Sequence, residues 1–300
     1  MKKLLGAFCF LLFALPALAD DKAPVVYAQI PAHPALWTVH GPKGTAYLFG
    51  SIHILPPNID WHTKEIDAAL AKSDVMVFEI AFDDKLQADL QASIKSRGML
   101  PEGQHLRDLL SPEAKGEFDT ELAHLSLPSA TVDQMRPWLA AMMFEVAEMR
   151  KKHYDSTSGV EMNLRSSDGI DKRPVVGLET IDQQLAMIAP SDPKVELEAF
   201  EAALKSSATE GPDDDIGPML DAWMNAKVAR LDTLMNKAFQ NYPAARKALL
   251  DDRNAAWVKK ISALLDEPKT YFITVGAGHL AGPRGVPALL RTQGFRVEGP

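Results

Sequence analysis

The chain has almost no cysteine. Its single cysteine, Cys9, lies in an apolar segment at the amino terminus, and residues 20–300 contain none. This absence excludes disulfide bonds, thiolate metal ligands and a cysteine nucleophile from residues 20–300. Any metal site there must use nitrogen and oxygen donors.

The chain also lacks an excess of positive charge. It has 32 Lys and Arg against 40 Asp and Glu, a formal net charge of −8, and no basic stripe. Proteins that bind nucleic acids usually cluster Lys and Arg to neutralise phosphates. We therefore expect no nucleic-acid partner.

Long apolar runs are missing beyond the amino terminus. The nearly continuous run Leu4–Leu15 is too short to span a bilayer. It follows two lysines and precedes Ala17-Leu18-Ala19, the small-x-small pattern of a signal peptidase site. Residues 1–19 are thus predicted to be a signal peptide cut after Ala19, with an uncleaved anchor as the alternative. We expect a periplasmic or secreted protein that begins at Asp20 and has no membrane span.

Two common hydrolase signatures are absent as well. The sequence has no His-Glu-x-x-His helix motif and no Gly-x-Ser-x-Gly turn. The first absence excludes the commonest zinc peptidase motif, and the second excludes the usual nucleophile elbow. Ser51 lies between Gly50 and His53, but this segment does not replace that elbow.

What the sequence does contain is a pair of similar segments. In Tyr47–His53 a short apolar run ends in a glycine, and the histidine follows three residues later. Tyr271–His279 repeats this pattern. Aromatic and β-branched residues favour strands, so each histidine should lie just past the carboxyl end of a strand, where open α/β sheets bind ligands. If the two strands are neighbours, both imidazoles meet at one sheet edge.

Apolar periodicity predicts strands near both ends of the chain and helices between them. The predicted strands are Leu36–His40, Thr45–Phe49, Val75–Ile80, Arg173–Glu179, the run from Tyr271, and Phe295–Glu298. The predicted helices include Thr63–Ala71, Lys85–Ser96, one starting at Ser111, Thr131–Lys152, Ser156–Ser167, Ile181–Ile188, Lys194–Ser206, Met219–Gln240, Pro243–Leu265 and Val286–Gln293. This order predicts an α/β fold, in the broad sense that includes α+β, in which both ends of the chain form a mixed central sheet. We expect one domain over residues 20–300, with a helical insertion over about 85–265.

Four polar side chains, His53, Glu79, Glu179 and His279, occur where apolar strands end or turn. Two imidazoles with one or two carboxylates suit zinc, manganese, cobalt or iron. An open coordination position would activate water, with a spare carboxylate as general base. The alternative is that these residues are hydrogen-bonded structural groups. Glu79 in particular needs a partner if it is buried, either a metal or Arg253.

Arg253 and Asn254 belong to a predicted long helix. Trp257 and Ile261 are four residues apart and form its core-facing stripe, and Arg253 lies on the same stripe one turn earlier. Arg253 could be exposed, or it could turn inward to pair with a carboxylate. Spacing alone favours exposure.

Together these motifs resemble the TraB/GumN family, which is related to the Tiki metalloproteases. The resemblance runs from about Trp37 to Val297. Its motifs are Gly50-x-x-His53, Gly276-x-x-His279, Val77-Phe78-Glu79, Gly177-Leu178-Glu179-Thr180 followed by Gln184, and Asp252-Arg253-Asn254 with Trp257.

The resemblance implies a sheet core with a helical region, distantly similar to erythromycin-esterase-like and haem-binding ChaN-like folds. Through the Tiki relatives it implies peptide hydrolysis that depends on manganese or cobalt. Zinc stays a candidate because the donor types suit it. By position it implies that the metal ligands are His53, Glu79 and His279. It also implies catalytic support from Glu179, Arg253 and Asn254.

Two hypotheses follow from these patterns. The first is an exported metal-dependent hydrolase of peptides or proteins, which would contain metal and lose activity on chelation. The second is a non-catalytic periplasmic binding protein for a metal, haem or peptide, which would bind its ligand without forming a product. The sequence leaves the substrate, the metal and the oligomeric state open.

Overall fold

In a computed structural model of the protein, the described residues are 28–81, 86–166, 173–189, 192–210 and 216–300. The predicted signal peptide, residues 1–19, lies outside these ranges and stays a prediction. So do Lys85 and Ser167, the predicted ends of two helices. Within the described ranges, no helix is both long enough and apolar enough to cross a bilayer.

The strands of the described chain form a large sheet and a small one. They are β1 (Ile30–Pro31), β2 (Leu36–His40), β3 (Thr45–Ser51), β4 (Ile59–Asp60), β5 (Val75–Ile80), β6 (Val175–Glu179), β7 (Thr270–Gly276) and β8 (Arg296–Glu298). The large sheet has the order β6-β5-β7-β3-β2-β8, and β1 pairs with β4 in parallel.

The helices are α1 (Lys64–Lys72), α2 (Leu86–Arg97), α3 (Leu106–Leu109), α4 (Pro112–Leu125), α5 (Ser129–Val132), α6 (Pro137–Lys151), α7 (Val160–Ser166), α8 (Ile181–Ile188), α9 (Pro193–Glu210), α10 (Ile216–Met224), α11 (Val228–Ala238), α12 (Pro243–Arg246), α13 (Asp252–Leu264) and α14 (Val286–Thr292). There are also 3₁₀ turns at Ser156–Ser158 and Ala277–Leu280, and a π-turn at Lys247–Asp251 joins α12 to α13.

The large sheet is mixed, as predicted. β7 lies between β5 and β3 and runs parallel to both, whereas β2 is antiparallel to β3 and β8. Strands from the beginning and the end of the chain are therefore neighbours. This confirms the prediction that both ends of the chain complete one sheet, and the pairing of β3 with β7 meets the condition that the two Gly-x-x-His strands are neighbours.

Alternation along β3 directs its side chains into cores on both faces of the sheet. Leu48 and its register partner Ile273 pack in one buried cluster with Trp257 of α13. The next residue, Phe49, points to the other face, where its ring centroid lies 5.8 Å from that of Phe272. β5 is buried at every position, as expected of a strand covered on both faces.

Tertiary contacts divide the chain into two compact units. The described part of the sheet unit comprises 28–81, 154–166, 173–178 and 216–300, and that of the helical unit comprises 86–153, 179–189 and 192–210. The sheet unit contains both Gly-x-x-His motifs. The prediction of a single domain over 20–300 stays a prediction.

The helical unit has its own core and an ion pair whose carboxylate is buried. Phe118, Phe144 and Phe200 pack with ring centroids 5.9–6.2 Å apart. Glu196 is 2% exposed and accepts from Arg136 Nη2 at 2.5 Å. Its other oxygen accepts from the backbone N–H of Trp138, so this carboxylate also satisfies a donor in the first turn of α6.

The prediction of one helix over Thr131–Lys152 is wrong at its start. α5 ends at Val132, and α6 begins at Pro137. The residue before this proline, Arg136, is extended with ψ of 154°, because the proline ring disfavours the helical conformation there.

The prediction of one helix over Met219–Gln240 is also wrong. α10 ends at Met224 and α11 begins at Val228, with Ala226 in the left-handed region at φ 50°. Neither glycine nor proline marks this break, so no local breaker signal was available.

Candidate functional site

The two Gly-x-x-His motifs meet at one end of the sheet. β3 and β7 are in register, with Ser51 opposite Gly276. His53 lies just past β3, and His279 lies in the 3₁₀ turn that follows β7. Both are buried, with 5% and 1% of the residue exposed.

Gly50 lets the strand end and the 3₁₀ turn approach closely. A Cβ atom at this position would lie 3.0 Å from the Cα atom of Ala277. The carbonyl of Gly50 accepts from the indole N–H of Trp223 at 2.7 Å. The lack of a side chain at Gly50 therefore allows this close packing of backbone against backbone.

Glu79, near the end of β5, is bound on both of its oxygens. Oε1 accepts from the backbone N–H of Gly276 at 2.7 Å, and Oε2 accepts from Arg253 Nη2 at 2.5 Å. Glu79 and Arg253 are 1% and 5% exposed. The partner that a buried Glu79 requires is therefore Arg253.

The preference for an exposed Arg253 was wrong. Its guanidinium lies over the ring of Trp257, 4.6 Å from the centroid, and inside the sheet unit. Helical spacing correctly placed Arg253 on the core-facing stripe of α13. Its inward direction depends on Glu79 from a strand remote in sequence, which balances the buried charge.

His279 is held in one tautomer by its neighbours. Its Nε2 is 3.0 Å from Arg253 Nη1, and because a guanidinium only donates, Nε2 accepts. Its Nδ1 is 2.6 Å from Asn254 Oδ1, whose amide nitrogen donates to the carbonyl of Arg284 at 2.8 Å. Nδ1 therefore carries the proton. Burial, and next the positive charge of Arg253, hold the pKa of His279 well below its ordinary value.

His53 is paired with a carboxylate that the sequence did not single out. Glu161 of α7 is 4% exposed, and its Oε1 lies 2.8 Å from His53 Nδ1. Burial opposes the charged imidazole, but the charge and hydrogen bond of Glu161 outweigh it, so the pKa of His53 is raised. The pKa of Glu161 is lowered, because His53 and Ser51 more than offset its burial.

A sequence signal for Glu161 did exist. It lies in the predicted helix Ser156–Ser167 between Val160 and Leu164, which are both fully buried. A carboxylate on the apolar side of a short helix needs a partner. The sequence could not show which partner, because α7 and β3 are far apart in the chain.

Close backbone contacts hold the start of α7 against the His53 segment. The N–H of Val160 donates to the carbonyl of Ile52 at 3.1 Å. A Cβ atom at Gly159 would lie 2.0 Å from the carbonyl oxygen of His53. Gly159 thus allows the approach that brings Glu161 to His53.

Glu179 belongs to the helical unit, and the residue before it in the chain, Leu178, belongs to the sheet unit. It ends β6, and its Oε1 accepts from Gln184 Nε2 at 2.7 Å. Thr180 and Gln183 form a capping box that starts α8 directly after this strand. The Glu179-Thr180 segment with Gln184 therefore has a local structural use, and the catalytic role of Glu179 stays a prediction.

The residues of the site fit a divalent metal by donor type but not by arrangement. Across the described ranges, no group of three or more His, Cys, Asp or Glu is positioned to hold a metal ion. Glu79 Oε2 and His279 Nε2, two atoms that such an ion would need, both face the guanidinium of Arg253. A metal would bind to both only if Arg253 moved.

Sequence similarity relates this chain to one protein family and to several named proteins. The model of the TraB/PrgY/gumN family matches residues 35–299. The uncharacterized protein YbaP of Escherichia coli K12 is 23% identical over 82% of this chain and 87% of YbaP. Metalloprotease TIKI1 of Danio rerio is 24% identical over 88% of this chain and 62% of that protein. Human metalloprotease TIKI1 is 23% identical, over 88% of this chain and 61% of its own length.

Proposed function

This chain belongs to the TraB/PrgY/gumN family, and on that premise we propose that it is an exported, metal-dependent hydrolase that cleaves peptide bonds. The observation that carries the proposal is the convergence of Glu79 and both Gly-x-x-His motifs at one end of β5, β7 and β3. The Tiki relatives are named metalloproteases, and this similarity supports the reaction class. The predicted signal peptide supports export.

The proposed metal ligands are His53, Glu79 and His279, and the proposed metals are manganese, cobalt and zinc. When bound, such an ion polarises a carbonyl group and lowers the pKa of water. Glu179 is proposed to assist the hydrolysis as a general base, which would contribute about 10²–10⁴-fold to the rate.

The remaining polar residues orient the imidazoles and supply charge. Glu161 accepts from His53 Nδ1 and directs the other ring nitrogen away from itself. Asn254 likewise accepts from His279 Nδ1 and fixes the orientation of that ring. Such supporting partners fix the orientation of ligands and their basicity.

The test is metal analysis of the chain from Asp20 onward, purified without a histidine tag or added metal. We expect a bound divalent metal, cleavage within a broad peptide library, and loss of cleavage on chelation that added metal reverses. His53→Ala and His279→Ala should lose the metal, whereas His33→Ala, at an exposed position, should keep it. Glu179→Gln should keep the metal and lose turnover.

The proposed site is wrong if both His53→Ala and His279→Ala keep full metal occupancy. The proposed activity is wrong if the metal-loaded protein cleaves nothing in the library.

The second candidate is a non-catalytic periplasmic protein that binds a metal, haem or peptide. The observation that favours it is the pairing of both ring nitrogens of His279 and both oxygens of Glu79. Buried polar groups with complete hydrogen bonding are usual in structural roles. This candidate predicts ligand affinity with no product in the same library experiment.

A further inference from the structure

We propose that Arg253 acts as the resident cation of this site and competes with the divalent metal, so that Arg253 sets the metal affinity. The inference rests on the proposed function in one respect: it takes the Glu79–His279 region as the place where metal binds. It adds that Arg253 opposes the binding of metal, whereas the family resemblance implies that Arg253 supports catalysis.

The first reason is that the guanidinium already uses the donor atoms. Arg253 Nη2 binds Glu79 Oε2 at 2.5 Å, and Nη1 binds His279 Nε2 at 3.0 Å. The tautomer of His279 leaves Nε2 as its one unprotonated ring nitrogen. A metal that binds His279 therefore needs the one lone pair that faces Arg253, and the nearby Oε2 of Glu79 is already bound by the same guanidinium.

The second reason is charge. Glu79 and Arg253 are buried together and neutralise each other. A divalent ion beside an unmoved guanidinium would place like charges a few ångströms apart in a medium that screens them weakly. Metal entry therefore requires the side chain of Arg253 to withdraw.

The third reason is that the helix gives this side chain an additional holding point. The π-turn Lys247–Asp251 lies directly before α13. In a π-helical turn the backbone hydrogen bonds join residues five apart, whereas in an α-helix they join residues four apart. The carbonyl of Leu249 accepts from Arg253 Nη1 at 3.1 Å, and Trp257 lies beneath the guanidinium. The resident cation is thus bound on several sides.

The experiment titrates the chelator-treated protein with Mn²⁺, Co²⁺ and Zn²⁺ against a fluorescent chelator. Arg253→Met removes the competing charge and keeps an unbranched side chain. Its metal affinity should rise on the order of ten-fold or more relative to the unmodified protein. The matched control is Arg296→Met, which removes an exposed arginine that pairs with Glu298 and should not alter the affinity.

Arg253→Met leaves Glu79 without its cationic partner and could fold poorly. Arg253→Lys is the second variant, because a lysine keeps the charge but does not supply the two donors that bridge Glu79 and His279. Its affinity should lie between those of the unmodified protein and Arg253→Met. Thermal melting gives a second readout: metal should raise the melting temperature of the Arg253 variants more than that of the unmodified protein.

The outcomes separate this inference from the proposed function. If the unmodified protein binds metal tightly and folded Arg253 variants bind it more weakly or equally, the competition is overturned and the metal site stands. If no folded protein binds metal, both the competition and metal dependence are overturned. If His279→Ala in the Arg253→Met background abolishes the gain, the gain is located at this site, and a persistent gain overturns the inference.

Discussion

At the scale of single residues, the pairing of Glu161 with His53 yields a direct prediction. Glu161→Gln removes the charged acceptor at Nδ1 while keeping the shape of the side chain. Peptide hydrolysis should fall about 10–100-fold, the usual cost of losing a partner that orients a ligand. Steady-state kinetics on the peptide identified in the library measures it.

The control for that variant is Glu113→Gln, at an exposed position in the first turn of α4. It should leave the kinetics unchanged. Full activity in Glu161→Gln would mean that the carboxylate does not orient His53 for the reaction.

The hydrogen bonds of His279 lead to a second residue-scale prediction. Asn254→Leu leaves the Nδ1–H of His279 and the carbonyl of Arg284 without their partners. The free energy of unfolding should fall by about 1–3 kcal/mol, the cost of leaving buried polar groups unpaired. Urea denaturation measures it in chelator-treated protein.

The matching variant is Asn225→Leu, at an exposed asparagine that bonds Asp221, and it should have little effect. Nitrogen-15 spectra of the unmodified protein should show the Nδ1–H tautomer of His279. A proton on Nε2 would contradict the orientation that we assign to Asn254.

At the scale of elements, packing between α7 and the His53 segment predicts an intolerant glycine. In Gly159→Ala the new Cβ would collide with the carbonyl oxygen of His53, which is a backbone atom and cannot rotate away. Stability should fall by about 1–3 kcal/mol, as for other overpacked positions. Chemical unfolding followed by circular dichroism measures it.

Gly116→Ala provides the comparison, because a Cβ there meets nothing within 4 Å. This position lies inside α4, where alanine should stabilise the helix by about 0.5–1 kcal/mol. Equal effects at both glycines would show that α7 does not pack tightly on the His53 segment.

The elements themselves were predictable where the pattern is local. Leu36–His40, Val75–Ile80 and Ile181–Ile188 were predicted to the residue, because alternation, a continuous apolar run and helical periodicity are encoded in neighbouring residues. The two long helices were wrong for opposite reasons. Pro137 is a readable break within Thr131–Lys152, whereas the left-handed Ala226 within Met219–Gln240 carries no breaker residue.

At the scale of the whole molecule, the predicted signal peptide implies processing. Mass spectrometry of the protein from its native host should find Asp20 at the amino terminus, because Ala17-Leu18-Ala19 supplies the cleavage pattern. Ala19→Arg should block cleavage and leave a longer chain. Protein with an intact Met1 in the membrane fraction would contradict export by cleavage.

The sequence by itself determined the mixed α/β composition, the two strands that lead into Gly-x-x-His, and the restriction of any metal site in residues 20–300 to nitrogen and oxygen donors, because each depends on local periodicity or on the absence of cysteine. Only the tertiary structure decided which residues pair with His53 and Glu79. The register of β3 with β7 places the two motifs side by side, and helices from other parts of the chain bring Glu161 to His53 and Arg253 to Glu79. A buried charge pairs with an opposite charge that lies close to it in space. Which residues lie close depends on how distant segments of the chain pack, and no local sequence pattern encodes that packing.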